Sequence, residues 1–297
     1  MKPAPFEYLS ATSVAEAVGF LAEHGPDARL LAGGQSLVRL MNARMATPRV
    51  VIDINGLTSL DRITGDDTEV TIGAMTRQRT SESSPTVRAH IPVFAEAGRH
   101  VAHVSVRERG TVVGSLAFAD PSAELPAAMQ VLDGRVVAMG PDGERVIPAD
   151  DFFTGPFQTS LSPTEMVTEV RIPCLPAGST GSAFLEVSRR QGELPVCGVA
   201  AVLCLSAAGQ VTDARIALCG VDQRPVRARQ AERRLTGQTP AADLITDAAD
   251  LAVEGLNPRA DCHGSADFRR HLARVLTGRA LHRALTRAQA SQEDLNA

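Results

Sequence analysis

No tryptophan and a single tyrosine, Tyr8, stand among the 297 residues, and aromatic residues make up only 3%. Few rings are therefore on hand to stack against a ligand plane. Nor is there a basic block: the net charge is −4 and the pI near 6.0, which argues against nucleic acid or an anionic membrane surface as partner. No apolar run approaches the roughly 18 residues of a membrane span. Met1-Lys2-Pro3-Ala4-Pro5-Phe6 also lacks the apolar stretch of a signal peptide, so a cytoplasmic location is expected. The five cysteines are an odd number without a CxxC pair, which argues against a disulfide framework and against a zinc or iron–sulfur site. Cys197, Cys204 and Cys219 lie in apolar runs and read as buried, inert thiols. Seven scattered histidines show no metal-ligand spacing and no proton-transfer triad, so neither a metal site nor a catalytic residue is expected here. His100 and His103, three apart at a possible helix end, are candidates to approach a ligand.

What is present is ordinary in bulk and particular in detail. A hydrophobic fraction of 44% and a charged fraction of 22% suit a globular protein, and the length allows two domains. In Leu31-Ala32-Gly33-Gly34-Gln35-Ser36-Leu37 an apolar run stops at two glycines, a polar pair follows, and Val38, Leu40 and Met41 resume a helical period. That is a strand turning abruptly into a helix, whose first N–H groups are free to meet an anion. Gly110-Thr111-Val112-Val113-Gly114-Ser115-Leu116 has a similar character. Both loops read as holding the phosphates of one nucleotide cofactor.

Along the chain, Phe6 to Leu9 reads as a strand and Ser13-Val14-Ala15-Glu16 as a capping box. A strand from Arg29 to Ala32, a helix to about Ala46 and the apolar run Val50 to Ile54 complete a β-α-β-α-β unit with a parallel or mixed sheet. Hairpins are expected around Gly65-Asp66-Asp67 and Pro141-Asp142-Gly143. Pro92 should break a helix from Val87 to Val101, Asp120 should cap a helix beginning at Pro121, and Glu165 to Ile172 reads as a strand. Pro173, Pro176, Gly178 and Gly181 mark a boundary. Beyond it come three strands, Ser182 to Ser188, Val196 to Leu205 and Val211 to Cys219, and then helices from Val226, Ala241 and Ala266. In the last helix Phe268, Leu272, Val275, Leu276 and Leu281 share one face, and the arginines between them read as solvated.

With these stretches in view the chain resembles the FAD-binding medium subunit of the molybdenum hydroxylases, the carbon monoxide dehydrogenase and xanthine dehydrogenase family. Ala32 to Leu37, Gly110 to Ala117, Asp120 to Pro126, Asp151 to Gly155, Ser188-Arg189-Arg190 and Val199 to Val202 carry the resemblance in order. It implies an α+β protein: a two-part FAD-binding domain of the PCMH type over residues 1–175, then a smaller domain over 176–297 with a three-stranded antiparallel sheet and helices. Leu31 to Leu37 and Thr111 to Ser115 would hold the FAD pyrophosphate, Glu124 would bind a cofactor hydroxyl, and Leu161 would be a further FAD contact. The resemblance also implies two partners, a large subunit with the molybdenum cofactor and a small one with two [2Fe–2S] clusters. Electrons would pass from the clusters through FAD to an external acceptor. The alternative kept open is an independent FAD-dependent oxidoreductase acting on its own small organic substrate; a scaffold subunit that has lost FAD is a third reading.

The residue chemistry agrees with a pyrophosphate site. That group carries about two negative charges, yet neither loop contains Lys or Arg, so backbone N–H groups and the hydroxyls of Ser36, Thr111 and Ser115 must do the binding. Arg29, Arg39, Arg107 and Arg109 are the nearest cations in sequence. Relatives have consecutive glycines where Val113-Gly114 stands, so either Val113 keeps ordinary dihedrals or the loop is displaced. Phe118, Leu185 and Leu194-Pro195 also depart from the family pattern and make the flavin side more apolar.

Overall fold

The computed structural model describes residues 2–296. Its first unit runs β1 (Glu7–Ser10), α1 (Val14–His24), β2 (Ala28–Leu31), α2 (Leu37–Asn42) and β3 (Val50–Asp53). The strands form one parallel sheet in the order β1-β3-β2, as helical crossovers between strands require. Ser13 caps α1, its hydroxyl accepting from the Glu16 N–H at 3.1 Å. The other half of the expected box goes elsewhere: Glu16 accepts from the backbone N–H of Thr12 at 2.7 Å and from its hydroxyl at 2.6 Å. Helix α2 stops at Asn42, short of the expected Ala46, and Arg44 takes a φ of +57° just beyond it.

The second unit is built on β4 (Ile63–Gly65), β5 (Glu69–Gly73), β6 (Arg135–Gly140), β7 (Gly143–Pro148) and β10 (Met166–Pro173). Both expected hairpins are present, and β10 runs between them in the order β4-β5-β10-β6-β7, antiparallel throughout. Between β5 and β6 lie α3 (Gln78–Ser83), α4 (Pro85–His90), α5 (Pro92–His100), α6 (Val104–Arg107), α7 (Val112–Phe118) and α8 (Glu124–Val131). Pro92 breaks the long helical stretch as expected. Asp120 does not cap α8: its carboxylate accepts from Ser122 N at 2.9 Å in a local turn, and the helix begins three residues after Pro121, at Glu124. Short elements α9 (Ala149–Phe152), β8 (Phe153–Gly155) and β9 (Gln158–Thr159) precede β10.

The third unit contains β11 (Thr180–Val187), β12 (Cys197–Leu205), β13 (Val211–Cys219) and helices α10 (Arg229–Leu235), α11 (Ala242–Leu251) and α12 (Ala266–Asn296). A two-residue strand, β14 (Val226–Arg227), pairs with Ala217 and Leu218 and extends the three long strands to four. All nine residues of β12 are buried. The two-residue period of a strand explains how: Val199, Ala201 and Leu203 face the three helices, while Ala200, Val202 and Cys204 join the core of the N-terminal half. Cys197, Cys204 and Cys219 are buried, and burial raises each thiol above its ordinary pKa, in keeping with inert packing. No helix of the described residues is long and apolar enough to cross a membrane.

The face of α12 differs from expectation. Phe268 is exposed, and the buried stripe is Arg269, Ala273, Leu276, Thr277, Ala280, Leu281, Ala284 and Ala288. A Cβ on Gly181 of β11 would sit 1.9 Å from the Ala284 carbonyl oxygen, so the helix lies almost directly on the strand and only small residues fit between. Arg269 is not solvated either. It donates to Val196 O and Gly220 O, both at 2.7 Å, and pairs with Asp261 at 2.7 Å.

Candidate functional site

Strand β2 ends at Leu31, and the chain turns through Gly33 and Gly34, the latter at φ +69°, before α2 begins. Gln35 Nε2 donates to Gly33 O at 3.1 Å and Val38 N to Gly34 O at 3.1 Å, bracing the turn from inside. Among the described residues no acceptor meets the N–H groups of Gly34, Gln35 and Ser36. Ser36 precedes α2 without its side chain capping it, so its hydroxyl is also free to donate.

The second stretch is a helix start rather than a glycine loop. Thr111 is the cap of α7, its hydroxyl accepting from Gly114 N at 3.0 Å. Its approach is fixed by Gln78 N donating to Gly110 O at 2.8 Å and Val112 N to Thr76 O at 3.0 Å. Val113 is buried inside α7 and has no positive φ. Of the two expected alternatives, Val113 therefore keeps ordinary dihedrals, and the backbone here does not require glycine at that position. The two stretches also touch. A Cβ on Gly33 would lie 2.3 Å from Arg109 O and 2.7 Å from the Gly110 Cα, distances no side chain tolerates, so only glycine lets these backbones meet.

Beside this contact is a cavity of about 530 Å³. Its wall is the loop from Leu31 to Gln35 with Arg39, Asn55, Arg77 and Arg109, and Glu108 as the lining acid. Three guanidiniums against one carboxylate make the wall cationic overall, as an anionic ligand requires. Arg29 and Arg107 are not part of it: Arg29 donates to Pro26 O and Ala28 O, and buried Arg107 binds Glu82 and the carbonyls of Val101 and Ala102. Asn55 and Arg77 were not singled out from sequence. The available signal was topological, because Asn55 follows β3 as the glycine loop follows β2, at the carboxyl ends of parallel strands where ligands sit in open α/β sheets.

Of the expected residues only Leu31 to Gln35 line the cavity; Ser36, Leu37, Thr111 to Ser115, Glu124 and Leu161 do not. Glu124 is 2% exposed at the start of α8, and its carboxyl is pushed up to about 8 by burial first and then by Glu186 and Asp120. The Glu186 side chain is 5% exposed, with one oxygen 3.3 Å from His100 Nδ1 and the other without a partner. Of the two histidines, His100 is engaged there, and its ring lies 5.4 Å from that of Phe184. Leu161 is half-buried against the N-terminal core. Phe118 packs edge-on against Phe157 at 5.1 Å. Leu185 packs into the helical core of the third unit, on the opposite face of β11 from Phe184. Among the described residues no cluster of His, Cys, Asp and Glu could hold a metal ion.

The sequence and fold have known relatives. Residues 4–175 match the family described as FAD binding domain in molybdopterin dehydrogenase, and residues 182–284 the CO dehydrogenase flavoprotein C-terminal domain. The chain is 40% identical over 296 residues to the 6-hydroxypseudooxynicotine dehydrogenase complex subunit alpha of Paenarthrobacter nicotinovorans, covering 100% of each. It is 38% identical to the carbon monoxide dehydrogenase medium chain of Hydrogenophaga pseudoflava, covering 97% of this chain and 99% of that one. A solved structure of carbon monoxide dehydrogenase from the same organism, lacking the Mo-pyranopterin moiety of its molybdenum cofactor, superposes with a TM-score of 0.94 at 40% identity, over 97% of this chain and 99% of that chain. The chain therefore belongs to the FAD-binding medium subunits of the carbon monoxide dehydrogenase-type molybdenum hydroxylases.

Proposed function

We propose that this chain is the electron-transfer subunit of a three-subunit molybdenum hydroxylase, docked between a small subunit with two [2Fe–2S] clusters and an external acceptor, with the molybdenum cofactor on a large subunit. FAD, when bound, supplies the redox chemistry, taking electrons from the clusters and passing them on. The observation that carries the reading is the cationic cavity beside unpartnered N–H groups, which fits a nucleotide pyrophosphate. Leu31 to Leu37 and Thr111, Val112, Val113, Gly114 and Ser115 are assigned to that pyrophosphate. Glu124 remains largely protonated at neutral pH, so its carboxyl both donates and accepts, a good partner for a cofactor hydroxyl. Leu161 is assigned an apolar contact. A division into domains at 175/176 is supported by the two family matches falling on either side of it. Five cysteines without a disulfide suit the cytoplasm.

The test is purification of the tagged chain from its native host. Flavin absorbance bands and two co-purifying subunits, one carrying molybdenum and one iron, are expected, with no substrate hydroxylation by the separated chain. A flavin-free chain, or one that oxidises a small organic substrate alone, overturns the proposal.

A further inference from the structure

Neither phosphate-binding stretch contributes a cation from within itself, yet the cavity wall carries three arginines. Two of these, Arg39 and Arg109, have exposed side chains, and ordering an exposed arginine on a ligand forfeits rotamer entropy. Arg77 differs. Its Nη1 donates to Arg109 O at 2.7 Å and its Nη2 to Asn55 Oδ1 at 2.9 Å, so one edge of the guanidinium is already committed. A guanidinium has five N–H groups, and the rest remain for whatever fills the cavity that Arg77 lines.

The hold on Arg77 extends further back. Asn55 Nδ2 donates to Ala32 O at 2.9 Å and to Asp53 Oδ1 at 2.6 Å, and Asn55 N donates to the same oxygen at 2.8 Å. The other Asp53 oxygen accepts from the Tyr8 hydroxyl. Burial alone would raise the Asp53 carboxyl, but the bonds from Tyr8 and Asn55 and the charge of Arg77 outweigh it and keep the group below its ordinary value. Asp53 is thus an anion at neutral pH, fit to anchor the series.

We propose that Arg77, positioned through Asn55 and Asp53 by Tyr8, is the preorganised cation that neutralises the anionic pyrophosphate of the cofactor. The same series ties Ala32 of the first stretch to Arg109 at the entry to the second, so charge and loop geometry are set together. The inference rests on the FAD reading above.

Flavin-stripped full chain is titrated with FAD at low and high salt, and its melting temperature is recorded without ligand. Arg77→Gln is expected to raise Kd by about 10- to 100-fold, the size of a hydrogen bond to a charged group, and to flatten the salt dependence. Arg77→Lys, which keeps the charge, should recover part of the affinity, and Asp53→Asn should fall between. ADP as competitor is expected to lose affinity in step with FAD. A Gln variant that binds FAD within about twofold of wild type, with the same salt response, overturns the inference. A Lys variant as weak as Gln overturns it too, because the arginine would then act only as a structural tie. Wild-type chain that takes up no FAD overturns the functional reading and this inference together.

Discussion

At Glu124 burial strips a carboxylate of water while Glu186 and Asp120 add repulsion, and the proton stays on until about pH 8. An unfolded glutamate releases it near 4.5. Between those values the folded chain holds a proton that the unfolded chain does not, so stability falls as pH rises. The contribution is fully present below pH 4.5 and lost by about 8, on the order of 5 kcal/mol at most. Glu124→Gln should therefore melt with a shallower pH dependence between these limits than wild type. Parallel curves from thermal melts of the two flavin-free proteins would sink this account. The turn at Gly33-Gly34 was legible in sequence because a glycine pair is a local signal, whereas the start of α7 at Thr111 reads there as a loop. Tyr8, Asp53, Asn55 and Arg77 were not legible, because β1, β3 and the segment after β5 bring them together only in the fold.

Helix α12 shows why element existence is easier to read than the face an element buries. Its start at Ala266 was legible, but the large apolar residues pointed to a stripe led by Phe268, which is exposed. The contact with β11 is so close that alanines fill it, and alanine carries little weight in a hydrophobic period. The burial of Arg269 is hidden for a related reason: the carbonyls of Val196 and Gly220 that it binds lie 73 and 49 residues away, and only Asp261 is near in sequence. Arg269→Ala leaves two buried carbonyls without a donor and should cost about 2–4 kcal/mol in denaturant unfolding. A loss below about 0.5 kcal/mol, the level of an ordinary surface change, would show that water replaces the guanidinium.

Over the whole molecule the two sequence-defined halves share one core, since Phe184, Ala200, Val202, Ala217 and Cys219 pack with residues of the N-terminal units. Buried Arg227 adds a polar tie, donating to Gln130 O and to Asp133 at 2.7 Å each while paired with Glu232. The flavin-free chain is expected to unfold in one calorimetric transition, with calorimetric and van't Hoff enthalpies agreeing. Two resolved transitions would mean that the shared core does not couple the halves. Most of the order of secondary structure was legible, because strand and turn signals are local. The shared core was not, because nothing in the alternation of β12 says which of its two covered faces meets which neighbour. One feature of the sheet bears on biosynthesis. Strands β5 and β6 are joined only through β10, which ends at Pro173. A ribosome-bound chain lacking that strand has two separate hairpins and no frame to hold Thr76 and Gln78 against α7. The frame behind the second stretch is therefore complete only once more than half of the polypeptide has emerged, although every residue lining the cavity is made earlier.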